Sequence, residues 1–314
     1  MESLPRLSIV ICTRNRIELL QRACESLAKQ VQVEDSIEVI VIDNASSDGT
    51  SQWLADVGAG TGREAPGLLG SRYRIRGERE PVSGLSRARN RGVRLARGEF
   101  VAFLDDDAWA EPEWADSLLR AFDEGGSDTA CVGGPVLPDW GRPEPRWIQG
   151  SEDLRGMLSI LTDEREAGPL PIDRHLIGAN IAFRKSALLR LGGFSEDLGR
   201  QGACLKSNEE LELIRRLSSF GQQVRWDPRI RVHHRIHAER LSRLWFIRRS
   251  FWQGRSDVRM KWASGQTPDA SRSLRRFLFF PVEFHYLPVF EGFLRGIMCL
   301  GEAWEALRCR STSI

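Results

Sequence analysis

Lysine is scarce in this chain of 314 residues: Lys29, Lys185, Lys206 and Lys261 are the only four among 45 basic residues. Nearly all positive charge is therefore guanidinium, which suits bidentate contact with phosphates and carboxylates, although a genome-wide composition bias gives the same count. Excess charge is also lacking. A net charge of +2 argues against a dedicated nucleic-acid binder, for which a strongly basic domain is expected. The six cysteines contain no C-x-x-C pair and no zinc-site or disulfide-framework spacing, so free thiols in a reducing compartment are expected. No signal-peptide pattern precedes the first apolar run, where Glu2 and Arg6 are charged, and a cytoplasmic location is expected. Long apolar runs are missing too. The most apolar late stretch, Phe277 to Leu300, is broken by Pro281, Glu283, His285, Pro288, Glu291 and Arg295, short of the roughly 20 clean residues of a spanning helix. Peripheral contact with the inner face of a membrane remains compatible with it. Finally, the first strand leads into Thr13-Arg14-Asn15-Arg16, neither G-x-G-x-x-G nor a Walker A loop, which disfavours dinucleotide and P-loop chemistry.

What is present is ordinary globular composition, 41% hydrophobic and 28% charged, with buried-strand patterns alternating with helical ones. Leu7 to Cys12 is a continuous apolar run followed by Leu20, Cys24 and Leu27 at helical spacing. Ile37 to Ile42 repeats the pattern and ends in the turn and cap residues Asp43 to Gly49, with a short helix through Trp53 and Leu54. Asp56 to Ser71 reads as a glycine-rich loop, Tyr73 to Arg76 as a third strand, and Leu85 to Ala96 as a helix ended by Gly98. Glu99 to Leu104 makes a fourth buried strand. Further on, Pro112 to Phe122 predicts a helix, Ala130 to Val136 a strand, Pro138 to Pro171 a long irregular region, Leu176 to Phe183 a strand and Asn208 to Phe220 a helix. Two short strands, Val224 to Trp226 and Ile230 to His233, precede an arginine-rich helical tail from about Leu241. Strands separated by helices imply a mostly parallel α/β sheet, with ligands at the carboxyl ends of the strands.

Two features on that edge carry chemistry. Asp105-Asp106-Asp107 closes the fourth strand, and three adjacent acids beside a core are costly unless a cation compensates. Mg²⁺ or Mn²⁺ bridging carboxylates to phosphates fits, as does a solvated acidic turn before the next helix. Asp43 closes the second strand.

The succession LSIVICTRNR, VIDNASSDGT and GLSRARNRGVRLARGEFVAFLDDDA resembles the nucleotide-binding half of glycosyltransferase family 2, whose fold is GT-A. GANIAFRKSALLRLGGFSEDLG and the EELEL and HH segments extend the resemblance over roughly residues 5 to 240. It implies a GT-A-like (Rossmann-like) catalytic domain over 1–240, with a nucleotide-binding half over 1–110, an acceptor-binding half over 111–240, and a helical C-terminal extension over 241–314. By the same resemblance Thr13 and Arg16 border the nucleotide, Asp43 reads the base, and Arg89 and Asn90 approach the donor. Asp105 and Asp107 match the ends of D-x-D. The resemblance implies Asp107 as the direct metal ligand, Asp105 or Asp106 toward the ribose, and His234 joining the metal or the diphosphate. Glu210 occupies the family's base position, usually aspartate, with Glu209 beside it. Gly178, Ala179 and Asn180 match the acceptor-side loop.

Each role has a plainer counterpart: Asp43 as a helix cap, Asn208 and the following acids as an N-terminal turn favoured by the helix dipole, and the histidine pair as a packed strand end. Trp140 and Trp147 either stack on an acceptor sugar or anchor their loop. The tail, with Arg240, Arg243, Arg248, Arg249 and Arg255 among Trp245, Phe246, Phe251 and Trp252, suits an anionic membrane surface, the domain itself, or a second subunit in a homodimer. The expected activity is metal-dependent, inverting transfer of a sugar, UDP- or dTDP-linked, to a hydroxyl of a saccharide or lipid-linked acceptor in surface polysaccharide synthesis. A nucleotidyltransferase would need a glycine-rich, lysine-containing loop after the first strand. A nucleotide-sugar binding module without a base is the other alternative.

Overall fold

A computed structural model of the chain describes residues 4–31, 37–58, 75–171, 174–202, 204–279 and 288–311. The chain forms two compact units, each assembled from three segments: Met1–Asp139, Ser159–Phe194 and Leu213–Arg235 in the first, and Trp140–Leu158, Ser195–Glu212 and Ile236–Ile314 in the second.

In the first unit, β1 (Leu7–Thr13), α1 (Ile17–Ala28), β2 (Ile37–Asp43), α2 (Thr50–Gly58), β3 (Ile75–Arg79), α3 (Leu85–Leu95) and β4 (Phe100–Leu104) alternate as expected. They are followed by β5 (Ala108–Ala110), α4 (Trp114–Gly125), β6 (Thr129–Gly133) and β7 (Val136–Asp139). The eight-stranded sheet is completed by β8 (Gly168–Pro169), β9 (Asn180–Arg184) and β10 (Gln223–Trp226), in the order β3-β2-β1-β4-β9-β6-β10-β8. Strands β3, β2, β1 and β4 are parallel, whereas β9 runs antiparallel between β4 and β6. A smaller sheet holds β5, β11 (Val232–Arg235) and β7.

Successive side chains point to opposite faces, so these continuous apolar runs bury the strands on both. Ile9, Ile11, Val39, Val41, Phe100, Ala102 and Leu104 pack in one layer with Leu20, Leu27, Trp114 and Leu118. Their neighbours Val10, Ile40, Ile42, Val101 and Phe103 pack in the other with Ala88, Val93 and Leu213. Gly92 allows the close approach of α3 to β1, since a Cβ there would lie 2.4 Å from Val10 Cγ1.

The structure corrects several local expectations. The third strand is Ile75–Arg79, paired with β2; residues 73 and 74 of the expected strand lie outside the described residues, as do 59–71 of the expected loop. Helix α3 is closed at Ala96, and Gly98 instead lets the chain pass the backbone of Ser8, where a Cβ would lie 2.7 Å from its nitrogen. The run 130–136 is two strands in two sheets. Gly134 is pressed against the carbonyls of Asp227 and Ile230, at 2.4 and 2.3 Å from a notional Cβ, and Pro135 has no N–H to continue the ladder. The region 138–171 contains α5 (Glu152–Met157), capped by Ser151, as well as β8.

Helix α6 (Lys185–Arg190) belongs to the first unit. Helix α7 (Glu209–Ser219) has its acidic first turn in the second unit and Leu213 onward in the first. The second unit also contains a 3₁₀ turn (Ala238–Leu241), α8 (Arg243–Ala263), α9 (Ala270–Leu278) and α10 (Val289–Ser311). Gly254 and Gly301 bring α8 and α10 into backbone contact, because Cβ atoms there would lie 1.9 Å from Met298 O and 2.0 Å from Phe251 O. Glu305, 1% exposed, accepts from Arg255 and Arg259 at 2.6 Å each. Of the five tail arginines, Arg240 and Arg255 are buried, so the tail is not simply a basic outer face. Trp147 packs edge-on against Phe246 and Phe290, anchoring its loop. Among the described residues no helix is long and apolar enough to cross a membrane, and no disulfide joins the six cysteines.

Candidate active site

The sheet order creates the site's location. From β1 the chain moves outward through β2 and β3, then returns to β4 on the other side of β1. That reversal opens a crevice at the carboxyl ends of β1 and β4, where α/β sheets bind ligands. Thr13 ends β1 and is in register with Asp43 at the end of β2, while Asp105, Asp106 and Asp107 follow β4 directly.

The three acids have different surroundings. Asp106 is buried, accepts from Thr13 Oγ1 at 2.8 Å, and lies 3.0 Å from Arg16 Nη1. Burial and the neighbouring Asp107 push its carboxyl up to about 6, against the pull of Arg16 and the Thr13 hydrogen bond, with Asp105 adding to the rise. The same Arg16 nitrogen lies 3.0 Å from Asp107 Oδ2. Asp105 is partly exposed and meets Arg89 Nη2 at 3.4 Å. Arg89, almost fully buried, is held against Phe103 and Phe194, and Gly178 leaves room for it: a Cβ there would lie 2.6 Å from Nη2.

His234 is brought to Asp107 by the small sheet. In the β11 to β5 pairing His234 faces Ala108, and Arg235 N donates to Asp107 O at 2.8 Å. His234 Nε2 then lies 3.3 Å from Asp107 Oδ1 with both side chains buried, and among the described residues His234 Nδ1 has no hydrogen-bond partner. Two ligands at right angles on an ion with bonds of about 2.1 Å are about 3 Å apart, so this hard oxygen and imidazole nitrogen fit Mn²⁺ or Mg²⁺. Among the described residues no group of three or more His, Cys, Asp or Glu side chains is arranged to hold an ion. An ion held by these two donors would have to complete its shell with phosphate oxygens and water.

Other residues singled out in the sequence are built into the scaffold. Asp43 Oδ1 accepts from Ser46 N at 2.9 Å and Oδ2 from the Ser51 hydroxyl, bracing the turn into α2. Asn90 exchanges two hydrogen bonds with the Phe194 backbone, at 2.8 and 2.9 Å. Asn180 is fully buried, accepting from Trp114 Nε1 and donating to the Pro135 and Ile230 carbonyls. Ala179 is buried beside it.

In the second unit, Glu209 is buried and Glu210 half-buried at the start of α7. Arg249 of α8 lies close enough to feel Asp257, Glu210 and Glu209; burial pulls its guanidinium down, and those three charges oppose the shift. Asn208 adopts φ 76°, and its side chain bonds Asp257 and Gln253 of α8. That is a tertiary hold and not the local cap suggested by sequence. Asp257 and Gln253 were not legible as partners of Asn208; the one available signal was the polar face of Arg249, Gln253, Ser256 and Asp257 inside an aromatic tail.

A nucleotide-binding α/β crevice with an acidic strand end defines the class of protein. The chain belongs to glycosyl transferase family 2, whose sequence profile matches residues 8–192, and it is a glycosyltransferase. It is 30% identical over 255 residues to the glucosyl-dolichyl phosphate glucuronosyltransferase of Haloferax volcanii, covering 80% of this chain and 76% of that one. It is 28% identical over 256 residues to the succinoglycan biosynthesis protein ExoM of Rhizobium meliloti, covering 81% and 74%. The fold resembles mannosyltransferase PcManGT from Pyrobaculum calidifontis, solved with GDP-Man and Mn²⁺, at a TM-score of 0.55 and 21% identity over 99% of this chain and 76% of that one. S. aureus TarS 1–349 with UDP gives a TM-score of 0.55 at 16% identity over 98% and 92%. The expected α/β, GT-A-like architecture is thus confirmed.

Proposed function

We propose that the protein transfers a sugar from a nucleoside diphosphate, UDP- or dTDP-linked, to a hydroxyl of a saccharide or lipid-linked acceptor, with inversion at the anomeric carbon. The observation that carries this reading is the buried Asp107 and His234 pair, 3.3 Å apart, beside the Thr13, Arg16 and Asp106 network at the β1–β4 crevice. Asp107 and His234, with Asp105 toward the sugar-nucleotide, would hold Mn²⁺ or Mg²⁺. When bound, the ion neutralises charge developing on the departing diphosphate.

The chain's own residues supply the rest. Arg16 bridges Asp106 and Asp107 and offsets the repulsion between two adjacent carboxyl groups next to the core. Asp43 uses one acceptor position on each oxygen for the 43–51 turn; an ionised carboxylate has about four, leaving capacity for the imide N–H of uracil or thymine. Arg89 offers a buried guanidinium beside Asp105 for the donor. Asn90 and Asn180 hold the walls of the crevice, and Gly178 admits Arg89.

Glu210 is the base that removes the acceptor's proton as the new bond forms, with Glu209 as its neighbour. Inversion is favoured because direct displacement needs one base and no enzyme nucleophile. The thiol of Cys12, near Asp105 and Asp106, is pushed up to about 12 by burial, with Arg89 lowering it and those two acids raising it, and so stays protonated. The setting proposed is polysaccharide or lipid-linked glycan assembly at the inner face of a membrane.

The test is the release of nucleoside diphosphate from UDP-glucose, dTDP-glucose and GDP-mannose with Mn²⁺ or with chelator. Release that requires the metal and is lost in Asp107→Ala supports the reading. Equal release in the variant contradicts it.

A further inference from the structure

The first turn of α7 is held by a polar grip that none of the roles above requires. Asn208, immediately before the acid pair, is 6% exposed and left-handed, a conformation that asparagine tolerates better than most residues with a Cβ. Its side chain is held from both ends. Asn208 Nδ2 donates to Asp257 Oδ1 at 2.8 Å, and Asn208 Oδ1 accepts from Gln253 Nε2 at 2.9 Å. Gln253 Nε2 also donates to Asp257 Oδ1 at 2.8 Å, so the two partners are fixed to each other.

Ser207 is held in the same way. Its N–H donates to Ser256 Oγ at 3.1 Å, and its hydroxyl lies 3.1 Å from Gln253 Oε1 and 3.3 Å from Arg249 Nη2. Arg249, Gln253, Ser256 and Asp257 are spaced four, three and one apart, which sets them along one face of α8. Four side chains are thus committed to a dipeptide. An ordinary helix start needs only one local cap.

We infer that α8 is the positioning element for the acid pair, with Asp257 and Gln253 fixing Asn208 and so the turn that carries Glu209 and Glu210. This rests on the reading of Glu210 as base. Asp257 does not touch the reacting atoms; it acts through Asn208. A base displaced by about 1 Å costs roughly a hundredfold in rate, which gives such a grip its value. The amide of Asn208 is read at both ends, so neither aspartate nor leucine would serve there.

The test compares wild type with Asp257→Ala, Asp257→Asn, Asn208→Gly and Glu210→Gln in the full chain. Amide hydrogen exchange at residues 209–212 reads the position of the turn. Nucleoside diphosphate release from a mixture of UDP-glucose, GDP-mannose and dTDP-glucose with Mn²⁺ reads its consequence, and calorimetry reads donor affinity. In Asp257→Ala we expect exchange at 209–212 faster by roughly tenfold, release slower by about thirtyfold, and donor affinity unchanged.

Asp257→Asn should restore both within about threefold, because its carbonyl oxygen accepts the same two hydrogen bonds. If Asp257→Ala does not fold, Asn208→Gly carries the test, since glycine adopts the left-handed backbone freely while losing the grip. Unchanged exchange, or release within twofold of wild type in the alanine or glycine variant, overturns the inference. So does an asparagine variant as impaired as the alanine one. Wild-type release in Glu210→Gln, with Asp257→Ala still impaired in exchange and release, would instead remove Glu210 as the base and leave the positioning role standing.

Discussion

Nε2 of His234 lies 3.3 Å from Oδ1 of Asp107, and both side chains are closed to solvent. The two residues are far apart in sequence and meet because β11 runs antiparallel to β5, one residue beyond the acidic turn. The nitrogen that faces the acid is the one placed to share an ion with it in the proposed site. His234→Ala should weaken Mn²⁺-dependent nucleotide binding by roughly 10- to 100-fold while leaving metal-independent binding unchanged. Titration calorimetry with and without the metal checks this.

Glu210→Gln should lower turnover by about 100- to 10,000-fold, the usual worth of a general base, with the donor dissociation constant unchanged. Parallel turnover and calorimetric measurements separate the two. A loss of donor affinity would place Glu210 in donor binding.

Gly178→Ala should act at a distance from its own backbone. The added carbon would lie 2.6 Å from Arg89 Nη2, and that guanidinium, packed between Phe103 and Phe194, has little freedom to retreat. Donor affinity should fall about tenfold, equivalent to about 1.4 kcal/mol. Gly178→Ala combined with Arg89→Lys should show less than the summed loss, because both act on one contact.

Glu305 sets a pH dependence of stability in the tail. Burial raises its carboxyl pKa, but the Arg255 hydrogen bond and the charges of Arg259 and Arg255 outweigh it, so the folded value lies below the ordinary glutamate range. A depressed folded pKa contributes stability that is present above the unfolded pKa and lost as pH falls through the folded one. Glu305→Gln should therefore destabilise the protein at pH 7, by about 3 kcal/mol for a broken buried pair. The difference from wild type should shrink as pH falls below about 4. Chemical denaturation at several pH values measures it.

Much of the first unit was legible because its strands are short apolar runs closed by turn residues. Leu7–Thr13, Ile37–Asp43 and Phe100–Leu104 need no tertiary information to be recognised, and Asp43 and Asp105–Asp107 follow as their carboxyl ends. Long-range packing was not legible. Nothing local indicates that β9 inserts antiparallel between β4 and β6, or that the run over 130–136 divides between two sheets at Gly134-Pro135. Likewise the family resemblance puts Asn180 in the acceptor-side loop, and only the fold shows the three hydrogen bonds with distant segments that brace it internally. For the tail's arginines the sequence left a membrane surface, the domain and a second subunit open, and no local pattern shows the pairing of Arg255 with Glu305, fifty residues on.

The central claim is that Asp107 and His234 hold a divalent ion for a nucleoside diphosphate, and calorimetric titration tests it most directly. UDP, dTDP and GDP would each be titrated into wild type and Asp107→Ala, with and without Mn²⁺. The account predicts metal-dependent binding of UDP or dTDP to wild type and its loss in the variant. Nucleotide binding of equal strength with and without metal, or binding retained in Asp107→Ala, would contradict it.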